Sequence, residues 1–440
     1  MTKDKEFYSR LKELMLPIAF QSFMLAAVSA GDSAMLGFVN QNAMAAVSLA
    51  SNIQFVENLF LSALVCGATI LTSQYWGKGD KNTVEKIFGL ILRYAFIISV
   101  TFCAAAMLIP EYLMTIFTNE TELIAIGAEY IRVAAGSYLL TGITQCYLCI
   151  MKTTGQTKAS AAISSFALGL DTILNAVFIF GFHMGATGAA LATTISRFIE
   201  LIIVLVFSRQ MAAKPNTFAK VSKELHTDFL KCSIPHLINS MVWGIGTTMY
   251  SVIIGHLGTA ITAANSVATI IRHLAIAVCR GLGQGGEILL AGVLGAGEME
   301  KAQVYGRRLS RLSVLCGMLC AVLVLIFGPV ISHFMALTEA ARYDLQIMIY
   351  ISAFYMLAQC INVVVVCGVF AAGGDVNFDA YSVAVTMWLI IIPLAAAGAF
   401  LWKWPPLAVY FILSFDEAVK IPWVYVHYKK YKWLNNMTKE

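Results

Sequence analysis

The sequence predicts an all-α polytopic membrane protein, with twelve transmembrane helices in two six-helix lobes related by a pseudo-two-fold axis along the membrane normal. Three observations predict this fold class. The 440 residues are 59% hydrophobic and only 12% charged, with a mean hydropathy of +0.76, whereas a soluble domain carries about 25% charged residues. Apolar windows long enough to cross a bilayer recur along the chain. Residues of the first half also recur in the second half at a fixed offset.

The apolar windows are separated by charged breaks or by breaks rich in glycine and proline. A helix of about 20 residues crosses a hydrocarbon core about 30 Å thick. The polar start of the chain runs directly into the first window, so no cleavable signal peptide is expected. The predicted spans are 14–39, 47–76, 87–110, 123–151, 159–182, 186–208, 228–255, 260–292, 309–333, 343–371, 378–402 and 404–428.

Internal similarity indicates that the twelve spans form two halves. The stretch AAVSLASNI from Ala45 recurs 218 positions later as AANSVATII from Ala263. We therefore predict an N-terminal lobe at 1–208, a cytoplasmic linker at 209–227 and a C-terminal lobe at 228–440. Because each half has an even number of spans, both halves enter the membrane from the same side and the repeats are parallel.

The distribution of lysine and arginine predicts the orientation. With the N-terminus inside, 22 of the 30 basic residues lie on the inner side, whereas the opposite loops hold only Arg342 and Lys403. The positive-inside rule therefore places both termini in the cytoplasm, in a multi-pass protein of the inner (plasma) membrane. This asymmetry explains the net charge of +5 without nucleic acid as a partner.

One acid stands out in the first span. Asp32 is the one formally charged residue between Leu14 and Val39. A carboxylate at that depth costs at least about 2.5 kcal/mol, so it normally faces the helix bundle, a partner or water. Intramembrane acids mark ion or substrate pathways, and the alternative is a structural acid paired with a neighbouring helix.

The fifth span adds a second polar group. Asp171 and Asn175 are four residues apart, which places them on one helix face. Two carboxylates with amide and hydroxyl oxygens suit a proton or a small hard cation. The predicted coupling-ion site is therefore Asp32, Asp171, Asn175 and Thr193, with H⁺ or Na⁺ as the ion and no other metal. The alternative is that these polar groups only hold helices together.

Five further residues are candidates for a substrate cavity. Glu57 and Glu287 are acids within predicted spans. Trp243 and Trp388 lie near mid-span, where an aromatic face could hold a lipophilic cation, although packing is the alternative. Tyr250 takes the place of the first-span acid in the second half, at the offset of 218.

The other charged residues in the eighth and twelfth predicted spans are not assigned to the ion site or to the substrate cavity. Arg272 and Arg280 put positive charge into the eighth span, which keeps an anionic substrate open. Asp416, Glu417 and Lys420 lie toward the cytoplasmic end of the twelfth span, where structural ion pairs or gates are expected.

Sequence motifs give no indication of an enzyme. There is no HExxH, P-loop or GxSxG motif, and GLGQGG at 281–286 lacks the strand and the acid of a dinucleotide site. Transport by this chain alone would not be driven by ATP, and no cofactor is expected beyond the coupling ion. Ten cysteines lie scattered in apolar segments, and the pairs Cys146/Cys149 and Cys316/Cys320 have helical spacing but no His or Cys partner nearby in the sequence. We therefore interpret the cysteines as buried thiols, with a zinc or redox role as the alternative.

A set of short motifs occurs in order along nearly the whole chain: LP…GDSAMLG, SQYWGKGD, TTGQTK, MGATGAALATTISR, TAANSVATIIR, LLAGVLGAGE and GVFAAGGD. With these motifs the sequence resembles the multidrug and toxic compound extrusion (MATE) family of cation-coupled antiporters. The resemblance implies a rocker-switch exporter of lipophilic, cationic drugs or toxins, driven by inward H⁺ or Na⁺. Organic cations and membrane lipids are the partners it implies, and a monomer is expected.

The resemblance also implies roles for residues. Asp32 falls on the family's first-span acid. The DNA-damage-inducible branch, which this chain resembles more closely, uses an Asn and an Asp four apart in the fifth span; here they are Asp171 and Asn175, in reversed order. Thr193 matches that branch's sixth-span threonine. The alternative function is a lipid or lipid-linked oligosaccharide flippase of the same superfamily, in which Arg272 and Arg280 would hold an anionic headgroup.

Overall fold

The computed structural model describes residues 2–37, 41–217, 220–334 and 338–438. Within these ranges the regular elements are all helices, and several helices continue into short π-helical stretches. The α-helices are α1 (Thr2–Gly37), α2 (Gln41–Lys78), α3 (Lys81–Leu108), α4 (Pro110–Thr115), α5 (Thr121–Thr153), α6 (Thr157–Ala176), α7 (Gly185–Ser208), α8 (Lys223–Gly255), α9 (Thr259–Gly295), α10 (Met299–Phe334), α11 (Glu339–Val364), α12 (Asn377–Val383), α13 (Ile392–Ala396), α14 (Pro406–Leu413) and α15 (Asp416–Tyr428). The π-helical stretches are Val177–Gly181, Val365–Phe370, Ala384–Ile391 and Ala397–Leu401.

The predicted all-α membrane fold is confirmed. Eleven helical runs in the described ranges are long and apolar enough to cross a membrane. They correspond in order to the first eleven predicted spans. Local capping separates neighbouring helices: Gly79, at a φ of +86°, ends the turn after α2, and the Asp80 carboxylate accepts a 3.0 Å hydrogen bond from the Thr83 amide at the start of α3.

The region predicted as the twelfth span, 404–428, differs from a single unbroken helix. It forms the two shorter helices α14 and α15, separated by Ser414 and Phe415. Asp416 and Glu417 lie in the first turn of α15, and the Glu417 amide donates a 2.7 Å hydrogen bond to Asp416 Oδ1. An acid that caps free amides stabilises a helix start, so this pair favours a break where hydropathy alone predicts continuity.

The chain divides into two compact units. We call Met24–Ser233 the N-terminal unit, and Met1–Phe23 together with Ile234–Glu440 the C-terminal unit. The start of α1 thus belongs with the second half of the chain, where the ring of Phe7 lies 4.7 Å from the ring of Tyr305. The division into lobes at residues 209–227 stays a prediction.

Packing within each unit determines which side chains can meet. In the N-terminal unit, α5 packs on α2, α3 and α7, and α6 packs on α7. In the C-terminal unit, α9, α10 and α11 pack against one another, and α15 packs on α11. The side chains of interest below therefore come from helices that are distant in sequence.

Candidate functional site

The acid on α6 lies in a polar contact with α7. Asp171 is buried, and the hydroxyls of Thr193 and Ser196 lie beside its carboxylate. Asp171 Oδ1 has no hydrogen-bond partner among the atoms that the structure describes. A buried carboxylate oxygen without a partner is costly, so this oxygen is available to a proton or a cation.

The charges around Asp171 are paired elsewhere. Arg197 on α7 acts on Asp171 through space, but its direct ion pair is with Glu200, at 2.7 Å. Lys152 also acts on Glu200. No ion pair of Asp171 within 4.0 Å occurs in the described part of the chain, so its charge is compensated only at a distance.

The structure describes the side chains of three of the four predicted ion ligands. Thr193 lies next to Asp171, and Asn175 is buried one helical turn further along the same face of α6. Asp32 lies on α1, but its side chain is outside the described residues. Its part in the site stays a prediction.

Glu57 occupies a separate buried position in the N-terminal unit. It is fully buried on α2 and accepts a 2.8 Å hydrogen bond from the Ser99 hydroxyl on α3. Its Oε2 has no described partner. A Cβ on Gly142 of α5 would overlap the Ser99 hydroxyl, so glycine is required there for this close approach. The charge of Glu57 also acts on Tyr138.

The C-terminal unit contains a charged network centred on α15. Lys420 and Glu417 form an ion pair at 3.5 Å. The Asn362 amide of α11 donates hydrogen bonds to Glu417 Oε2 at 2.7 Å and to the Glu417 carbonyl at 2.8 Å. The Tyr250 hydroxyl of α8 donates to Asp416 Oδ2 at 3.3 Å. The three charged residues are buried, so the predicted ion pair exists but lies inside the unit.

The network extends to a residue that sequence reasoning missed. Asp379 on α12 accepts a 2.7 Å hydrogen bond from the Asn239 amide of α8 and interacts with the charges of Lys420 and Glu417. Asp379 is the second residue of the predicted span 378–402 and was not among the candidate residues. The sequence signal that could have identified it is an acidic residue inside an otherwise apolar window.

The other predicted cavity residues are dispersed. Trp388 donates a 3.1 Å hydrogen bond to the Val242 carbonyl, and Trp243 is partly exposed. Glu287 is buried, and its Oε1 has no partner among the described atoms. Arg272 lies over the rings of Tyr355 and Tyr410, at 5.1 and 5.9 Å from their centroids. Their roles in substrate binding stay predictions.

The interpretation of the cysteines as buried thiols is wrong for Cys279 and Cys360, which are bonded to each other. Cys279 on α9, Cys316 and Cys320 on α10, and Cys360 on α11 place their sulfur atoms within 4.8 Å of one another, and Cys279 and Cys360 form a disulfide. Sequence spacing could not indicate this, because the three helices meet only through tertiary packing. Cys146, Cys149, Cys316 and Cys320 are free and buried, as predicted.

An all-α membrane bundle with ionisable groups buried in both units is typical of a solute transporter. The family model MatE matches residues 17–177 and 235–397. The chain belongs to this family of MATE efflux transporters. The two matched segments begin 218 residues apart, which is the offset of the internal repeat.

Relatives of the same class cover almost the whole chain. The probable multidrug resistance protein NorM of Halalkalibacterium halodurans is 25% identical, over 90% of this chain and 88% of that protein. The uncharacterized transporter YisQ of Bacillus subtilis is 23% identical, over 89% and 87%. The structure of the Vibrio cholerae MATE transporter VcmN has a TM-score of 0.90 at 18% identity, over 98% of each chain. This last likeness shows the fold.

Proposed function

We propose that the protein exports lipophilic, cationic small molecules across the inner (plasma) membrane in exchange for H⁺ or Na⁺, by rocker-switch alternating access. Both termini would lie in the cytoplasm, and the chain would act as a monomer. The family assignment supports efflux, and relatives bear the names multidrug resistance protein and multidrug and toxin extrusion protein. The DNA-damage-inducible branch stays a prediction.

The observation that carries the coupling proposal is the Asp171 carboxylate. Its Oδ1 is buried without a described partner, beside the hydroxyls of Thr193 and Ser196. A proton would neutralise this carboxylate, and Na⁺ would be held by the carboxylate and hydroxyl oxygens. Either ion lowers the cost of burying the charge, so ion binding and release can favour different states of the protein.

The test is transport by the purified protein in proteoliposomes. Ethidium is loaded on the cytoplasmic side, and its flux is measured under an imposed proton gradient, an imposed sodium gradient, or neither. We expect Asp171→Asn to abolish gradient-driven flux, because it keeps the side-chain volume but removes the exchangeable charge. The control Glu111→Gln, in an exposed ion pair with Arg132, should transport as the wild type does. Full gradient-driven flux by a well-folded Asp171→Asn variant would refute the coupling role.

One observation favours a second candidate function, that of a lipid or lipid-linked oligosaccharide flippase. Arg280 is exposed on α9, so positive charge is accessible in the C-terminal unit and would suit the anionic headgroup of a lipid or lipid-linked oligosaccharide. The same proteoliposomes can be tested with a fluorescent anionic lipid. Movement of the lipid between leaflets, without export of any cation from a broad panel, would favour the flippase.

A further inference from the structure

Four cysteines meet where α9, α10 and α11 pack together. Cys316 and Cys320 are four residues apart and share one face of α10. Their sulfur atoms lie 3.4 and 3.8 Å from the sulfur of Cys279 on α9. Cys360 on α11 is bonded to Cys279 as a disulfide. The four sulfurs thus form one group within 4.8 Å, and all four side chains are buried.

The spacing of these sulfurs fits a single central ion. In a tetrahedral site with metal–sulfur distances of about 2.3 Å, neighbouring sulfurs are about 3.8 Å apart. The distances from Cys279 to Cys316 and Cys320 are close to this value. While the disulfide is intact, the protein cannot offer four thiolate ligands, because the sulfurs of Cys279 and Cys360 are bonded to each other. Breaking that bond would leave four thiols on three packed helices, and the two freed sulfurs would then have to separate to about 3.8 Å to share the ion.

We propose that reduction of the Cys279–Cys360 disulfide opens a buried four-cysteine site for one thiophilic divalent metal ion of the Zn²⁺ and Cd²⁺ type. The reductant is a dithiol, which supplies two electrons and two protons. The protein disulfide becomes two thiols, and the dithiol becomes a disulfide. The metal then binds the four sulfurs and displaces thiol protons. This site is independent of the proposed transport function.

The surroundings determine the charge that the complex can carry. All four cysteines lie in the main hydrophobic core of the C-terminal unit. A complex with four thiolates would carry two negative charges, and burying such charges in an apolar core is costly. The thiolate, not the thiol, is the metal ligand, so a divalent ion held by all four sulfurs displaces four thiol protons and must offset the cost of the buried charge that remains. We therefore expect four protons released for each ion bound, weaker binding as the pH falls, and no binding of hard ions such as Mg²⁺ or Ca²⁺, which prefer oxygen ligands.

The test measures metal binding, not transport, and uses the full-length protein purified in detergent. The protein is reduced with a dithiol, freed of reductant under anaerobic conditions, and incubated with Zn²⁺ or Cd²⁺. Metal per chain is measured by elemental mass spectrometry after gel filtration, and ultraviolet sulfur-to-cadmium charge transfer reports thiolate ligation. We expect about one tightly bound ion per chain in the reduced protein, as in four-cysteine structural sites, and none in the unreduced protein.

Two double variants separate this site from the other thiols. Cys316→Ala/Cys320→Ala removes two ligands and should weaken binding by more than roughly a hundredfold, since changes outside the ligand shell alone cost 10- to 100-fold. The control Cys146→Ala/Cys149→Ala changes a buried pair in the N-terminal unit, outside the four-sulfur group, and should bind as the wild type does. Gel filtration and thermal unfolding check that both variants are folded.

Three results would overturn the proposal. The first is the absence of stoichiometric metal in the reduced wild type. The second is equal binding by the two double variants, which would place the metal on other thiols. The third is equal binding with and without reduction, which would remove the disulfide from the mechanism. Cleavage of Cys279–Cys360 without any metal uptake would leave that disulfide as a structural link between α9 and α11.

Discussion

The buried ion pair on α15 allows a sharp prediction about stability. Lys420 and Glu417 are 3.5 Å apart, and their side chains are only 8% and 10% exposed. The pair between Arg132 and Glu111 is closer, at 2.7 Å, but its side chains are 54% and 58% exposed. If the distance between the charges alone determined how much an ion pair stabilises the protein, the Arg132–Glu111 pair would contribute more than the Lys420–Glu417 pair. Because water screens exposed charges, we expect the reverse.

The magnitude follows from the separation of the buried charges. At 3.5 Å and an effective dielectric constant of about 20, two unit charges attract by about 5 kcal/mol. Removing one partner of a buried pair typically destabilises a protein by about 3–5 kcal/mol, because the other charge stays buried and uncompensated. Lys420 also acts on Asp379 and Asp416, so Lys420→Met leaves three carboxylates without their shared cation. A loss at the upper end of this range is expected.

The assay is thermal unfolding in detergent, followed by tryptophan fluorescence. Lys420→Met should lower the apparent Tm strongly, whereas the matched control Arg132→Met should change it little. The double variant Lys420→Met/Glu417→Gln has the net charge of the wild type, and a glutamine oxygen can still accept the hydrogen bond from Asn362. It should therefore regain part of the lost stability, because Asp379 and Asp416 still lack the cation.

Two results would refute this reasoning. One is a Lys420→Met variant as stable as Arg132→Met, which would mean that water reaches and screens the α15 network. The other is a double variant no more stable than Lys420→Met, which would mean that packing of the lysine stem, rather than its charge, stabilises the unit.

Two further predictions concern packing and topology. Gly142→Ala should destabilise the protein by about 1–3 kcal/mol, because the added Cβ displaces the Ser99 hydroxyl from Glu57. Gly169→Ala, where the structure shows open space on α6, should instead stabilise it by up to about 1 kcal/mol; unfolding measurements that give both the same sign would contradict the packing argument. In a background without native cysteines, a cysteine at Asn119 should react with an impermeant thiol reagent outside intact cells, and labelling at Lys214 would reverse the predicted orientation.

The helical spans were predictable from the sequence because hydropathy is a local property. Eleven spans read from apolar windows correspond to helical runs in the structure. The break at Ser414 and Phe415 was missed, because a window average does not register a helix start stabilised by two consecutive acids. The assignment of the first part of α1 to the unit of the second half was also missed, since the packing of Phe7 on Tyr305 joins residues about three hundred positions apart.

The sequence by itself determined the membrane class, the family motifs and the placement of Asp171 and Asn175 on one helix face, because each depends on residues near one another in the chain. The tertiary structure alone decided which distant side chains meet. It placed Thr193 and Ser196 beside Asp171, and it connected Asn362 of α11 to Glu417 of α15. It also gathered four cysteines from three helices. Contacts of this kind depend on the rotation and packing of whole helices, which no local pattern of residues specifies.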